Sequence, residues 1–346
     1  MKHLALLLLL VLAAPFGRGN LLPVDNGKVD VKVYSPPELI EHSKPRYPRQ
    51  ALSRGIEGWV TMQLMVDTKG NTYDIEVVDS NGNRFLELAA VRAAKKHKYK
   101  PAKFQGKPID ASSRSHITFV MRDQKFLSTT FTTLFNQFQT AVKEGRQSDM
   151  KLLISKLDEF EITTLYESTL AQLMKGVYAT SINDSEGIRR AYGVVLNLNK
   201  EHDFFTEAQT RSFKLTRLQA QVATGHVRAA LGTWSELEPV LSDEQLRRKL
   251  TSQMTKVQRV LEGNASTSVS GLIPACASFA YQLAKPSFAL SRVVGELEEV
   301  KLYCEKGRVA FPVAEDVIYT VKKELGNCNV VVFGAPEATF EIIDGA

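Results

Sequence analysis

The chain has 346 residues, 44% of them hydrophobic and 24% charged, and carries a formal net charge of +6. That length and apolar content allow two or three separate cores and exclude a disordered chain. The positive excess shrinks further if Lys2 and Arg18 leave with a leader, so charge supports no nucleic-acid partner. The leader is the first element. Residues MKHLALLLLLVLAAPFGRGN begin with Lys2 and His3, run apolar from Leu4 to Ala14 and end among small residues, the pattern of a secretory signal peptide over residues 1–19. The apolar run is shorter than the ~20 residues of a membrane span, and no later stretch approaches that length. No Cys follows it, so a lipid anchor is not expected. Residues 20–35 read as a linker.

From Lys44 to Phe119 the chain predicts an αββαβ module, assigned with its margins to residues 36–123. KPRYP places Pro48 at the start of a short helix and Gly55 at its exit. Residues 59–80, WVTMQLMVDTKGNTYDIEVVDS, read as two strands joined by a tight Asp67 to Asn71 turn, with Gly70 supplying a left-handed position. FLELAAVRAAKKHKYK follows as a helix with Phe85, Leu88, Ala89 and Ala93 on one face, stopped by Pro101. A Gly106-Lys107-Pro108 turn leads to a last strand, from about Ser113 to Met121. The densest basic cluster of the chain, Lys95 to Lys107, reads as a solvated face or as a surface that steers an acidic partner.

This stretch resembles the TonB C-terminal domain, on KPRYP with Ala51 and Gly55, Gly58 and Val60, VDTKG, Ser80, YKPA, GKP and the closing ITF. The matching motif positions are Pro45, Tyr47, Pro48, Gly55, Gly58, Asp67, Gly70, Ser80, Tyr99 and Pro101. The resemblance implies a three-stranded sheet on two helices, in a periplasmic module that contacts outer-membrane receptors in energy-coupled transport by adding a receptor peptide to a sheet edge. Elementary physics agrees that an open edge either binds or is guarded. The candidate edge is the closing strand, with Arg114, Ser115, His116, Ile117, Thr118, Phe119 and Val120; its Arg and His among hydroxyls also suit a protected edge. The chain departs from the family in lacking an uncleaved N-terminal helix and a long Pro-rich spacer. A cleaved chain would sit in the periplasm and depend on a separate inner-membrane motor complex; an uncleaved leader would tether it to the inner membrane.

Residues 124–262 turn helical. SDMKLLISKL, EGIRRAYGVV and GHVRAALGTW align without gaps from Ser148, Glu186 and Gly225, starts 38 and 39 residues apart, and each follows a longer helical stretch. This predicts a solenoid of helical hairpins that looks like tetratricopeptide repeats, closed by an amphipathic helix over Asp243 to Glu262. Gly263 to Gly271, GNASTSVSG, reads as a linker.

Residues 272–346 read as a small β-rich domain, with strands near 296–303, 308–312, 328–333 and 339–343 and a helix over Glu315 to Leu325. All three cysteines fall here. In an exported chain Cys304 and Cys328, at strand ends beside turn signals, form the preferred disulfide, while Cys276 could replace either or stay buried and free. The fold class is therefore α+β multi-domain: a TonB C-terminal-like module, an all-α hairpin solenoid and a β-rich end.

No catalytic grouping emerges. His42, His97, His116, His202 and His226 stand apart, and no zinc spacing, nucleophile elbow or phosphate loop occurs. No enzyme, metal or cofactor is expected. The expected function is binding of envelope partners, with a cell-envelope scaffold that binds protein through its helical repeats as the alternative; homodimer and monomer both remain open.

Overall fold

The computed structural model describes residues 34–121, 125–273 and 278–346. The leader, most of the linker after it and Cys276 lie outside the described residues. In chain order the first region forms β1 (Tyr34–Ser35), β2 (Glu38–Glu41), α1 (Arg49–Ser53), β3 (Gly58–Val66), β4 (Thr72–Ser80), α2 (Arg84–Ala94), β5 (Lys98–Lys100), β6 (Ala102–Phe104), β7 (Lys107–Ile109) and β8 (Ala111–Phe119). The main sheet is antiparallel with order β4-β3-β8. The β3–β4 turn forms because Asp67 folds back on itself: one carboxylate oxygen accepts from the N–H groups of Lys69 and Asn71, both at 2.8 Å. Gly70 has φ +84, and a Cβ there would lie 1.8 Å from the Tyr99 carbonyl oxygen, so glycine is required twice over. Asn83 caps α2 by accepting from the Phe85 and Leu86 N–H groups. Pro48 is the N-cap of α1 rather than its first helical residue. The helix expected to run to Pro101 ends at Ala94, and Lys98–Lys100 form β5 instead, because the Tyr99 N–H donates to the Gly70 carbonyl and the strand pairs with β2; Lys107 and Pro108, expected in a turn, begin β7. The short strands β1, β2 and β6 were not anticipated, because two to four residues are too few for alternation to register.

Every residue of β3 is buried. Val60, Met62, Leu64 and Val66 face α1 and α2, packing on Ala51, Leu86, Ala90 and Ala94. The alternate residues face the rest of the chain. Trp59 packs on Leu165 and Leu198 of the helical region, and Met65 on Tyr303 and Val331 of the C-terminal region.

Seven α-helices follow, α3 (Thr129–Lys143), α4 (Gln147–Asp158), α5 (Leu165–Ser181), α6 (Ser185–His202), α7 (Glu207–Ala223), α8 (Val227–Leu237) and α9 (Glu244–Glu262). Ser128, Thr164, Asp184, Thr206 and Asp243 cap five of them through their side chains. Gly145, Asn183 and Gly225 turn the hairpins α3–α4, α5–α6 and α7–α8 in left-handed conformation. The aligned positions Leu153, Ala191 and Ala230, then Leu157, Val195 and Trp234, are all buried. Among the described residues no helix is long and apolar enough to cross a membrane.

The C-terminal region contains β9 (Thr267–Leu272), β10 (Ser278–Gln282), β11 (Ser287–Val294), β12 (Leu297–Cys304), β13 (Gly307–Pro312), β14 (Ile318–Thr320), β15 (Cys328–Gly334) and β16 (Thr339–Asp344). They form two antiparallel sheets, β10-β15-β12-β13 and β14-β11-β16-β9, closed on one core that includes Val269, Phe288, Val300, Leu302, Val332 and Ile342. Two expectations are corrected. Part of the expected linker is strand β9, in which Gly271 is small because the Phe340 ring occupies the space of a Cβ. The expected helix over Glu315 to Leu325 is β14 and a 3-10 turn at Lys323–Leu325: Asp316 is left-handed at φ 57, and Tyr319 stacks on Phe288 as its cross-strand partner.

Cys304 and Cys328 face each other across β12 and β15 and are joined in a disulfide. The bridge spans a sequence separation of 24 residues, so replacing both cysteines by alanine is expected to cost about 3 kcal/mol through the looser unfolded chain. Urea unfolding monitored in the C-terminal region checks this; an unmoved midpoint would contradict it.

Candidate functional site

The two edges of the main sheet differ. β4 meets β3 through two register shifts, carries Asp74 at φ 47, and has its Val77 carbonyl oxygen taken by the Ser278 hydroxyl at 2.9 Å. Bulges and a covering contact blunt an edge. β8 instead pairs with β3 through nine consecutive positions, from Gly58 opposite Phe119 to Val66 opposite Ala111, without a shift. No strand of the described residues pairs with its outer side.

The side chains of β8 divide between two faces, as strand geometry requires. Ile117 and Phe119 are buried against α1 and α2, and Ser115 shares their face. His116 and Thr118 turn toward α6: the Thr118 hydroxyl donates to Glu201 at 3.1 Å, and His116 Nδ1 lies 2.8 Å from the Thr61 hydroxyl. Burial holds the His116 imidazole below its ordinary pKa against the opposing pull of Glu201, and its Nε2 is buried without a partner. Arg114 is exposed. Val120 lies one residue past the strand and packs with Trp59 and Leu165. With both faces occupied, what β8 offers is its outer row of backbone N–H and C=O groups.

The motif positions build the frame of this edge. Tyr47 lies edge-on to Phe119 at 5.6 Å and donates its hydroxyl to the Ile56 carbonyl at 2.6 Å, anchoring the chain before α1 to the end of β8. Gly58 leaves room for Asn81, whose amide donates to the Glu57 carbonyl. Gly55 turns the chain out of α1 at φ +67, Ser80 donates to Glu87 at 2.5 Å, and the Tyr99 N–H donates to the Gly70 carbonyl. Pro45 lies before α1, and Pro101 separates β5 from β6.

Sequence reasoning missed the contacts that lock the second face of the sheet. Glu57, 4% exposed, accepts from the N–H of Met121 at 2.8 Å and from that of Leu165 at 2.9 Å. Across the other junction Lys301 donates to Glu76 at 2.5 Å and lies 3.3 Å from Glu299; these carboxylates, with Asp74, raise the Lys301 pKa against the effect of burial. Arg308 pairs with Asp74 at 2.8 Å. One signal was available: WVTMQLMV does not alternate cleanly, as a strand buried on both faces does not.

Residues 43–121 match the family described as Gram-negative bacterial TonB protein C-terminal, and they form a TonB C-terminal domain. This region is similar to Protein TonB of Vibrio cholerae serotype O1, 38% identical over 74 residues, or 21% of this chain and 30% of that protein. It is similar also to Protein tonB2 of Pseudomonas aeruginosa, 37% identical over 71 residues, or 20% and 26% of the two chains. The solution NMR structure of Pseudomonas aeruginosa TonB CTD is 25% identical and covers 28% of this chain and 96% of that one, with a TM-score of 0.23. The chain thus spans less than a third of the length of these two relatives, and the likeness stops short of the helical and C-terminal regions.

Proposed function

We propose that this chain is a periplasmic partner-binding protein whose TonB C-terminal domain captures an extended peptide of an outer-membrane receptor by adding it as a strand to β8. It serves energy-coupled transport as a relay to a separate inner-membrane motor complex, and no catalytic step is assigned to it. The observation that carries the reading is the nine-residue unbroken register of β8 beside an outer side that no strand of the described residues pairs. Successive residues of a strand send their N–H groups to opposite sides. Proline at Ser115 and proline at His116, introduced singly into the full chain, therefore remove one donor from the open side and one from the β3 ladder. Outer-membrane receptors recovered from envelope extract should be lost from the variant that remains fully folded. Recovery undiminished on that variant would contradict strand addition. A second reading, a cell-envelope scaffold that binds through its helices, is favoured by the burial of β3 on both faces, which makes the module part of one assembly. It predicts that the same partners stay bound to the folded variant undiminished.

A further inference from the structure

On the far side of α1 and α2 from the rest of the chain, residues 43–50 and α2 enclose a groove of about 630 Å³. That volume lies within the range of about 300–1,000 Å³ over which pockets hold ligands. One wall is a single stripe of α2, Phe85, Ala89, Arg92 and Ala93, at helical spacing, continued by Lys96 in the turn after it. The groove stays open because Ala89 and Ala93, at its floor, are too small to reach the opposite wall.

Its charge is one-sided. Lys44, Arg46, Arg49, Arg92 and Lys96 line it, and no carboxylate does. All five cations are exposed, and among the described residues none takes part in an ion pair, although many other Lys and Arg residues, such as Arg54, Arg146, Lys214 and Lys301, do. Arg92 is oriented, its Nε donating to the Leu88 carbonyl at 3.0 Å. Phe85, 43% exposed, adds an apolar contact at one end. Guanidinium groups match carboxylates in a two-pronged geometry, and a recess gathers their fields where a flat face would spread them.

We infer that the groove between residues 43–50 and α2 is a second binding surface, which takes an acidic segment of a partner protein with carboxylates on Arg46, Arg49, Arg92 and Lys96 and an apolar side chain on Phe85. The recess favours a peptide over a membrane, whose surface is flat. This surface lies on α1 and α2, apart from the outer side of β8, and does not depend on strand addition.

The test is fluorescence anisotropy of the full chain with a labelled Glu-Leu-Glu-Glu-Leu-Glu peptide at low ionic strength, beside its Lys-Leu-Lys-Lys-Leu-Lys counterpart. Saturable binding of the acidic peptide alone is expected, weakened at least about tenfold by Arg49→Glu with Arg92→Glu. Lys44→Glu with Lys96→Glu should weaken it as well, and all four side chains are exposed, so neither pair disturbs the core. Whichever of Ser115→Pro and His116→Pro remains fully folded should leave it unchanged, which separates this surface from the β8 edge. Equal affinity in the charge-reversed variants overturns the inference. So does binding to vesicles of anionic phospholipid without binding to the peptide, which would assign the groove to a membrane surface.

Discussion

Acidification from pH 6.5 to 4.5 is expected to cost the wild-type chain more stability than it costs His226→Gln. His226 precedes α8, is 5% exposed and lies edge-on to Tyr281 at 5.2 Å. Its Nδ1 lies 2.9 Å from the Thr224 hydroxyl and 3.1 Å from the Thr224 carbonyl oxygen. A carbonyl only accepts, so Nδ1 holds the proton and Nε2 is an unprotonated nitrogen, buried without a partner. Burial, with the Arg189 and Arg217 charges, pushes the imidazole down to about 3, against the Thr224 carbonyl.

Below the ordinary His value the unfolded chain takes a proton that the folded chain refuses. Stability therefore falls as pH falls, over the window from about 6.5 down to about 3, by up to about 1.4 kcal/mol per pH unit. Asp79 acts in the opposite sense. Burial raises its carboxyl to about 6 although Arg114 and Arg189 oppose it, so the folded chain binds that proton first and gains stability as pH falls from about 6 toward 4. His97 and His116, also held down by burial, add to the loss, and Asp344, raised by burial, acts with Asp79, so the His226 contribution is read as the difference between wild type and variant. Urea midpoints at half-unit steps of pH read it; parallel profiles would show that the ring accepts its proton without unfolding.

Glu57→Ala is expected to destabilise the chain by roughly 2–6 kcal/mol, at about 1–3 kcal/mol for each of the two N–H groups left without an acceptor. The carboxylate joins two N–H groups far apart in sequence, those of Met121 and of Leu165, while the Glu57 N–H donates to the Thr163 carbonyl at 2.7 Å. Arg54 and Glu161 pair beside them at the surface. The exposed pair contributes little, so Arg54→Ala should change stability by less than about 1 kcal/mol. Glu57→Gln keeps one acceptor but presents an amide donor to the second N–H, and should fall between the two. Calorimetry checks the order, and limited proteolysis should cut earliest near residues 54–58 or 161–165 in Glu57→Ala. A loss below about 0.5 kcal/mol would mean that water replaces the carboxylate at both amides.

The helices and hairpins of the chain were legible where a local rule governs them. Asp67 and Gly70 set the β3–β4 turn, and the three aligned repeats fall on α4, α6 and α8 with their aligned apolar positions buried except the half-buried Ile188; the caps Asn83, Ser128, Thr164 and Thr206 also follow a local rule, although they were not anticipated. Expectation failed where local chemistry suited two outcomes. Small polar residues at 267–271 suit a linker or an edge strand, and pairing with β16 decided for the strand. The stretch from Glu315 to Leu325 has helix formers, but Tyr319 gains more by stacking on Phe288, with its hydroxyl donating to the Pro312 carbonyl at 3.0 Å. The candidate edge was legible as a strand, though not as the open one of two.

The amino-acid order alone determined the β3–β4 turn, the helical periodicities, and the motif that places residues 43–121 in a TonB C-terminal domain, because each rests on groups a few residues apart or on a matched pattern. Tertiary structure decided which edge stays open and what covers the second face of β3. Those outcomes depend on contacts such as Glu57 to Leu165 and Lys301 to Glu76, separated by 108 and 225 residues. No local preference encodes such a contact, since its energy exists only once whole regions have folded and their surfaces meet.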